Sequence, residues 1–284
     1  MEKATSKKGK ISCYNEYHSL RQVIVVPPEY MEIKEVINTT QRHYLKENID
    51  NDIAVQQHQK FVHTLESEGV NVIPFHAEKE LNEQVFTRDI GFTIGNTFFI
   101  AALNKELRKP EEDVLKKWLN EQDIPYHHID IESIEGGDVL VDNGKVWIGV
   151  SDRTTRDAID YVQHKLPDYQ VTPISIREDI LHLDCTFNII SEDTAIIFKD
   201  GVNEEAYKIL QQHYQLIEVS EEEQFKLGTN VFSIGNKKII SLPIQKRLNQ
   251  ELRRMGYDVI EVEFSEIIKS GGSFRCCTLP LVRE

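Results

Sequence analysis

The sequence predicts an α/β protein in which a small strand–strand–helix–strand unit is repeated. Three observations indicate this: hairpin-like segments recur along the chain, an amphipathic helix pattern follows each one, and a short strand follows each helix. With 284 residues, 40% of them hydrophobic, the chain can bury a full core. We therefore expect one domain over residues 1–284, with residues 1–10 as a flexible tail.

Four hairpin segments show alternating apolar residues around turn signals such as IGN and DNG. They are FTRDIGFTIGNTFFIAAL, GGDVLVDNGKVWIGVS, HLDCTFNIISEDTAIIF and TNVFSIGNKKIISLP. The helix patterns between them space apolar residues three and four apart, as surface helices do. These are EEDVLKKWLNEQ, TRDAIDYVQHKL, NEEAYKILQQHY and IQKRLNQELRRMG, and the closing strands are PYHHIDI, YQVTPISI, YQLIEVS and YDVIEVEF. Residues 31–68 fall outside this pattern and predict two successive helices, the first a flap or insertion.

One polar position recurs at the start of each unit. Aligned on the first strand, the units place there Asp89, Asp138, Asp184, Asn230 and Cys276, separated by 49, 46, 46 and 46 residues. The C-terminal SGGSFRCCTLPL, the strand RQVIVVPP and the helix at 51–68 can supply a fifth unit, which closes a ring. A closed ring of repeats leaves no open edge strand and brings equivalent positions to its axis. We therefore expect one site at the axis, whereas unrelated hairpins in an ordinary α/β protein are the alternative.

The charge balance argues against polyanionic partners. Lys and Arg number 33 against 47 Asp and Glu, a formal net charge of −14, so nucleic acid would be repelled and a small cation attracted. The four cysteines include an adjacent pair, a poor disulfide framework that favours a reducing compartment, the cytoplasm by default. No stretch approaches the roughly 18 apolar residues of a membrane span, so no membrane association is expected. The sequence leaves open whether the protein forms a homodimer.

Cys276 is the strongest candidate nucleophile, because it follows a Gly-Gly turn in KSGGSFRCCTLPL where the backbone can approach a ligand closely. His182 in LHLDC supplies an acid/base imidazole, and Glu135 in IEGGDVL supplies a carboxylate to orient it. Strand alternation directs Cys276 and Cys277 to opposite faces, so one is expected to be catalytic and the other packed. A buried thiol, a half-buried imidazole and a turn are the ordinary alternatives for these residues.

Asp89, Asp138 and Asp184 are expected to gather at the same axis. Buried carboxylates repel one another unless a cation joins them, and a cationic substrate would do so. A zinc ion is the alternative, with ligands drawn from His182, Cys185, Cys276 and Cys277. Because adjacent cysteines lack the two-residue spacer of structural zinc sites, we expect neither a metal nor another cofactor.

Five motifs together resemble the guanidino-modifying enzymes, that is arginine deiminases, dimethylargininases and amidinotransferases. The motifs are FTRD (86–89), EGGD (135–138), SDRT (151–154), HLD (182–184) and GGSFRCCTLPL (271–281), in the family's order over nearly the whole chain. The resemblance implies a five-bladed α/β propeller, the pentein fold. It also implies that Cys276 forms a covalent alkylthiouronium intermediate, that His182 protonates the leaving amine and then activates water, and that Glu135 orients His182.

The resemblance also implies a substrate-binding set. Asp89 and Asp184 would hold the guanidinium by bidentate bonds, with Asp138 supporting the turn beside them. Arg108 and Arg153 would clamp the substrate's α-carboxylate. For Arg108 the alternative is an ordinary surface arginine, because its loop NKELRKPEED is highly charged.

The choice within the family rests on length and on two positions. Length favours a compact hydrolase similar to dimethylarginine dimethylaminohydrolase, because arginine deiminases carry an extra helical insertion. Dimethylargininases, however, have an acidic residue where Arg88 stands and a basic one where Asp184 stands. Our hypothesis is hydrolysis of L-arginine or an Nω-methylated arginine to citrulline plus ammonia or an amine. Amidino transfer to an amine acceptor and a non-catalytic propeller that only binds are the alternatives.

Overall fold

The computed structural model describes residues 11–284, which form five three-stranded sheets. The predicted tail, residues 1–10, lies outside the described residues. The strands are β1 (Leu20–Val25), β2 (Asn71–Pro74), β3 (Gly91–Ile94), β4 (Thr97–Ile100), β5 (Tyr126–His128), β6 (Val139–Asp142), β7 (Lys145–Val150), β8 (Gln170–Ser175), β9 (Phe187–Ile189), β10 (Thr194–Ile197), β11 (Gln215–Glu218), β12 (Phe232–Gly235), β13 (Lys238–Ser241), β14 (Asp258–Glu261) and β15 (Leu279–Arg283). Their grouping into small equivalent sheets fits a pseudo-fivefold repeat.

Every sheet has the same pairing. The middle strands β1, β4, β7, β10 and β13 each pair antiparallel on one side, with β15, β3, β6, β9 and β12, and parallel on the other, with β2, β5, β8, β11 and β14. A parallel pair needs a crossover connection, and a helix supplies it in each unit. The predicted strand–strand–helix–strand order is therefore present, and the fifth sheet joins both ends of the described chain.

Seven α-helices lie within residues 11–284. They are α1 (Thr39–Tyr44), α2 (Asn51–Ser67), α3 (Pro110–Glu121), α4 (Arg156–Lys165), α5 (Glu204–His213), α6 (Glu221–Phe225) and α7 (Lys246–Arg254). Two crossover helices begin at side chains that accept from backbone amides, Thr155 before α4 and Asn203 before α5. Each buries one apolar stripe on its own sheet, as Leu115 and Leu119 of α3 do. None of the helices in this range combines the length and apolar character that crossing a membrane requires.

The region predicted to hold two helices contains one long helix, α2, and one short helix, α1. The first predicted helix is helical only at Thr39–Tyr44, because Asn38 caps it and accepts from Gln41 N at 2.8 Å. The residues before α1 are not helical. The Asn48 side chain accepts from the N–H of Ile33 and donates to its C=O, which competes with helical hydrogen bonds there. We call residues 31–48, which include α1, the lid.

The recurring polar positions stand just before the first strands, in tight turns, and not within the strands as the alignment suggested. Asp138 ends the 3₁₀ turn Gly136–Asp138, and Asp184 lies in the 3₁₀ turn Leu183–Cys185. Hydrogen bonds join each of these turns to the next in a cycle. The bonds run from Arg88 N to Cys276 O (3.0 Å), Gly136 N to Asp89 O (3.1 Å), Leu183 N to Asp138 Oδ1 (2.8 Å), Asn230 Nδ2 to Asp184 O (3.4 Å) and Cys276 N to Asn230 Oδ1 (3.3 Å). The turns of all five units therefore meet in one place.

Candidate active site

A small buried cavity lies where these turns meet. Its volume is about 10 Å³, room for roughly one water molecule. Its lining combines a thiol, an imidazole, carboxylates, two guanidinium groups and the lid: Ile37, Asn38, Glu83, Phe86, Asp89, Arg108, Arg153, Leu181, His182, Ser270, Gly271, Gly272 and Cys276. The lid closes the cavity through Asn38, whose Nδ2 donates to Ser270 O at 2.9 Å, and through Gln41, whose Nε2 donates to Ser270 Oγ at 2.7 Å.

Cys276 is 4% exposed and lies in the turn before β15. Asn230 Nδ2 donates to its Sγ at 3.1 Å, while Asp184 presents Oδ2 at 3.7 Å and Oδ1 at 3.9 Å. The thiol thus sits between an amide donor and a carboxylate. Cys277 is fully buried in the apolar cluster with Phe61 and Phe274, and burial raises its thiol pKa well above the ordinary value.

Two glycines make this crowding feasible. A Cβ on Gly272 would lie 2.3 Å from the Phe86 ring and 3.0 Å from Cys276 Cβ. A Cβ on Gly137 would lie 2.6 Å from His182 Nδ1 and 3.0 Å from Asp89 Oδ1. The Gly-Gly motifs of the sequence are therefore required by the space around the thiol and the imidazole.

His182 and Glu135 form a buried ion pair, with His182 Nε2 2.7 Å from Glu135 Oε2. Burial alone would lower the pKa of His182, but the charge of Asp89 and the hydrogen bond that His182 donates to Glu135 outweigh it and raise this pKa to about 10. Burial would raise the pKa of Glu135, yet the bond to His182 and the charge of Arg153 lower it to about 2. The imidazole is therefore charged at neutral pH and can give a proton.

Asp89 has one oxygen bound and one free. Arg108 Nη1 donates to its Oδ2 at 2.6 Å, whereas Oδ1 has no hydrogen-bond partner among the described residues and lies 3.7 Å from His182 Nδ1. Arg108 also binds Glu111, with Nη2 2.8 Å from Oε2. Arg108 is 2% exposed, so it is not the surface arginine considered above, and it lines the cavity.

Arg153 also lines the cavity and joins the protein body to the lid. Its Nη1 donates to Glu135 Oε1 and Oε2 at 3.2 and 3.3 Å, and its Nη2 donates to Ile37 O at 2.9 Å. Both predicted clamp residues are therefore at the cavity, and both are bound to carboxylates in this closed form.

Asp184 and Asp138 are fully buried. Asp184 faces the thiol on one side and Arg275 on the other, with Arg275 Nε 3.3 Å from its Oδ2; burial raises its pKa. Asp138 accepts from Ser151 at 2.7 Å and from Thr154 at 2.6 Å, and it does not line the cavity. Asp138 therefore stabilises the turn that carries Glu135, and no atom of it is presented to a ligand in this cavity.

A metal ion was the alternative for the acidic cluster. Asp89, Glu135 and His182 bring one ligand atom each within 4.8 Å of one another. The carboxylates already pair with the cations Arg108, Arg153 and His182, so their charge needs no metal. Cys277, named as a candidate zinc ligand, packs in the core and does not line the cavity.

Three residues at the site were not predicted from the sequence to take part in it: Asn230, Glu83 and Ser270. Asn230 stood in the aligned positions but was given no role, although its amide binds the thiol. Glu83 is 2% exposed, and its Oε1 accepts from lid residue Gln41 at 2.8 Å; burial raises its pKa to about 8. Ser270 also donates to Glu83, so hydrogen bonds among Gln41, Glu83 and Ser270 hold the lid to the cavity wall.

The assembled groups provide a nucleophile, a proton donor and carboxylates for a planar cation. The thiol of Cys276 and the imidazolium of His182 face one cavity, and Asp89 supplies an acceptor oxygen beside them. Asp184 lies 3.7 Å from the thiol but does not line the cavity. This set suits covalent catalysis on a cationic carbon centre, with proton transfer to the group that leaves.

Comparison with known proteins identifies relatives over nearly the whole chain. Residues 27–283 match the sequence family described as N,N dimethylarginine dimethylhydrolase, eukaryotic. The uncharacterized protein YkgA of Bacillus subtilis is 48% identical over 274 residues, which cover 96% of each protein. The N(G),N(G)-dimethylarginine dimethylaminohydrolase of Pseudomonas aeruginosa is 23% identical over 80% of this chain and 87% of that protein.

A solved structure shares the fold. The N-terminal domain of ArgZ, an arginine dihydrolase from cyanobacteria crystallised with its substrate, superposes with a TM-score of 0.85. The match covers 92% of this chain and 98% of that domain at 23% sequence identity. At this identity the likeness establishes the α/β fold.

Proposed function

Because the chain belongs to the N,N dimethylarginine dimethylhydrolase family of guanidino-modifying enzymes, we propose that it hydrolyses the guanidino group of L-arginine or an Nω-methylated arginine. The products are citrulline and ammonia or an amine. One observation carries this proposal. Cys276, His182 and an unbonded oxygen of Asp89 meet in a single buried cavity, and Glu135, which does not line the cavity, pairs with His182 at 2.7 Å.

The first half of the reaction is thiolate attack. Cys276 releases its thiol proton to solvent as the substrate binds, and its Sγ adds to the guanidino carbon. The bond to a terminal nitrogen then breaks as that nitrogen takes a proton from His182, and it leaves as ammonia or an amine. The carbon remains on sulfur as an S-alkylthiouronium cation. Substrate binding promotes this step, because it brings the positively charged guanidinium and its electrophilic carbon to the cavity that Cys276 lines.

The second half is hydrolysis. His182, now neutral, takes a proton from water, and the resulting hydroxide adds to the thiouronium carbon. The C–S bond then breaks as the new hydroxyl loses its proton to solvent, which releases citrulline and the thiolate. Glu135 accepts from His182 Nε2 in both halves and so holds the ring in one orientation, with Nδ1 toward Asp89 and the cavity.

The carboxylates favour an unmethylated guanidinium. L-Arginine offers five N–H donors, whereas dimethylation of one terminal nitrogen removes two of them. Asp89 Oδ1 needs a donor when a ligand excludes water, and a buried acceptor left unpaired costs about 1–3 kcal/mol. We therefore place L-arginine ahead of the dimethylated form.

Substrate entry requires the lid to move. A cavity of about 10 Å³ is far smaller than an arginine molecule, and it is closed by Ile37 and Asn38. Arg108 and Arg153 clamp the α-carboxylate once the lid has opened and Arg153 has left Ile37 O. For Asp89 to bind a guanidinium with both oxygens, Arg108 must release Oδ2, so substrate and Arg108 exchange partners.

The five sheets are proposed to close into a five-bladed α/β propeller with this cavity at its axis. The support is the cycle of hydrogen bonds that leads from each turn to the next and returns from Arg88 N to Cys276 O. A propeller axis also explains why the nucleophile, the imidazole and the carboxylates come from different units of the chain.

The proposal is tested by product analysis together with trapping of the intermediate. The purified protein is incubated with L-arginine, asymmetric dimethylarginine or agmatine, with and without glycine as an amine acceptor, and the products are identified by mass spectrometry. Citrulline formed without glycine supports hydrolysis, ornithine points to further cleavage, and a new guanidino compound formed only with glycine replaces hydrolysis by amidino transfer.

Acid-quenched protein adds the site-specific evidence. We expect an adduct with the mass of arginine less ammonia on the wild type and on Cys277→Ser, but none on Cys276→Ser. Cys277 is the matched control because it is the adjacent thiol and lies outside the cavity. No product and no adduct with any guanidine would refute the proposed function.

A further inference from the structure

A second buried cavity shares no lining residue with the candidate active site. It also has a volume of about 10 Å³, room for roughly one water molecule or one small ion. Its lining is unusually rich in charge for a buried space: Cys13, Asn15, Glu16, Arg88, Thr93, Val141, Pro280 and Arg283. The proposed reaction uses none of these residues.

Two guanidinium groups at this cavity lack a carboxylate. Arg88 is 4% exposed. Its Nε donates to the backbone carbonyl oxygen of Arg275 at 3.4 Å, and its Nη2 has no partner among the described residues. Arg283 is 3% exposed and donates to two backbone oxygens, His18 O at 2.8 Å and Ser233 O at 2.9 Å. An unpaired charge is costly to bury, so these two cations call for an anion.

The nearby acidic groups are already engaged. Glu16 binds Arg275 through both of its carboxylate oxygens, and Asp184 lies 3.3 Å from Arg275 Nε. Arg275 takes the direct contacts of both carboxylates, so three buried guanidinium groups, those of Arg88, Arg275 and Arg283, share two carboxylate charges. Cys13 cannot act as a thiolate counter-ion, because burial raises its pKa to about 12 and its Sγ donates to Pro280 O. Burial likewise lowers the pKa of Arg88 to about 10, the direction expected for a cation without a partner.

We propose that Arg88 and Arg283 bind a small inorganic anion of halide size, such as chloride, in this cavity. The unpartnered Nη2 of Arg88 is the principal donor, and the guanidinium charge of Arg283 supplies the second cation. A volume of about 10 Å³ favours a monatomic ion over sulfate, phosphate or a carboxylate, which are larger.

The anion supports the turn that carries the nucleophile. Arg88 N donates to Cys276 O at 3.0 Å, and Arg88 Nε donates to the carbonyl of Arg275, the preceding residue. Fixing Arg88 therefore fixes the backbone on both sides of the peptide bond that leads into Cys276. An anion that binds only the folded protein stabilises it by mass action.

The first test is halide-dependent thermal unfolding of the full chain. Protein in sodium gluconate is titrated with sodium chloride, sodium bromide or sodium sulfate at constant ionic strength. We expect a saturable rise of a few degrees in the unfolding midpoint with chloride and bromide only. An equal response to all three salts, or to none, would overturn the proposal, since neither is selective for a halide-sized ion.

Variants and crystals locate the ion. Arg88→Met should abolish the halide response, whereas Arg254→Met, which removes an exposed arginine in the last turn of α7, should retain it. A halide response that survives Arg88→Met contradicts the assignment. If Arg88→Met does not fold, bromide-soaked wild-type crystals decide: an anomalous peak within hydrogen-bonding distance of Arg88 Nη2 supports the site, and its absence refutes it.

Discussion

Replacing Glu135 by Gln tests how the proton donor is set up. Glu135 is fully buried, and its Oε2 lies 2.7 Å from His182 Nε2, so the substitution keeps the shape and removes one negative charge from the imidazole's nearest partner. The pKa of His182, raised to about 10 in the wild type, should fall toward its ordinary value of about 6.5. Burial lowers this pKa, and the variant has less negative charge near the imidazole to counteract that effect.

The size of the effect follows from the fraction of imidazolium. At pH 8.5 the wild type keeps nearly all of its His182 protonated, whereas a pKa near 6.5 leaves about one molecule in a hundred protonated. If His182 protonates the leaving amine, kcat of Glu135→Gln should be about 100-fold lower at pH 8.5. The deficit should shrink about tenfold for each pH unit lowered and nearly vanish at pH 6.5.

The assay is citrulline production from saturating L-arginine between pH 6 and 9, with circular dichroism to verify folding. Glu112→Gln is the control, because Glu112 is also buried, accepts from Leu103 N at 2.8 Å, and pairs with His128, a histidine that does not line the cavity. The control should follow the wild-type pH profile. A deficit of Glu135→Gln that is the same at every pH would refute the reasoning, since it would mean that Glu135 does not act through the protonation of His182.

Three further predictions follow from the cavity. Cys276→Ser should lower kcat on the order of 10⁴-fold or more while Cys277→Ser stays within about tenfold of the wild type, and the reverse pattern in steady-state rates would exchange the two thiols' roles. Agmatine, which lacks an α-carboxylate, should show a kcat/KM at least about 100-fold below that of L-arginine, because it leaves Arg108 and Arg153 without their ligand; equal values would remove the clamp. Glu83→Gln should reduce the loss of stability with rising pH: native Glu83 keeps its proton to about pH 8 whereas the unfolded chain loses it near 4.5, so stability falls between these values. Urea unfolding at pH 5 and 8.5 should show a wild-type loss roughly 2–5 kcal/mol greater than the variant's, and parallel losses would contradict the buried, protonated Glu83.

The repeat was predictable because spacing is a local property of the sequence. Alternation, turn residues and the interval of 46 residues locate the strands, and the meeting of Asp89, Asp184 and Cys276 follows from their equivalent positions. The lid was predicted as the first of two successive helices, a flap or insertion, but Asn38 and Asn48 bind the backbone and limit the helix to Thr39–Tyr44. Side chains that compete for backbone groups outweigh a periodic pattern there.

The partners of the buried arginines could not be predicted from local sequence. Arg108 lies in a charged loop and looks like a surface residue, yet it contacts Asp89, which is brought to it by another turn. Glu83 and Ser270 meet across 187 residues of sequence, and neither belongs to a recognisable motif. Such contacts depend on which turns become neighbours, and only the assembled fold determines that.

The sheet formed by β15, β1 and β2 has a consequence for folding kinetics. It joins segments at the two ends of the described chain, and Arg283 donates to His18 O across 265 residues. Closing a loop of this length costs roughly 5 kcal/mol of chain entropy before any contact rewards it, and such distant pairings form slowly. The nucleophile stands immediately before β15, so its turn is completed only when this slow long-range closure is complete. The repeats can gain local structure early, but catalytic competence is a late event on the folding pathway.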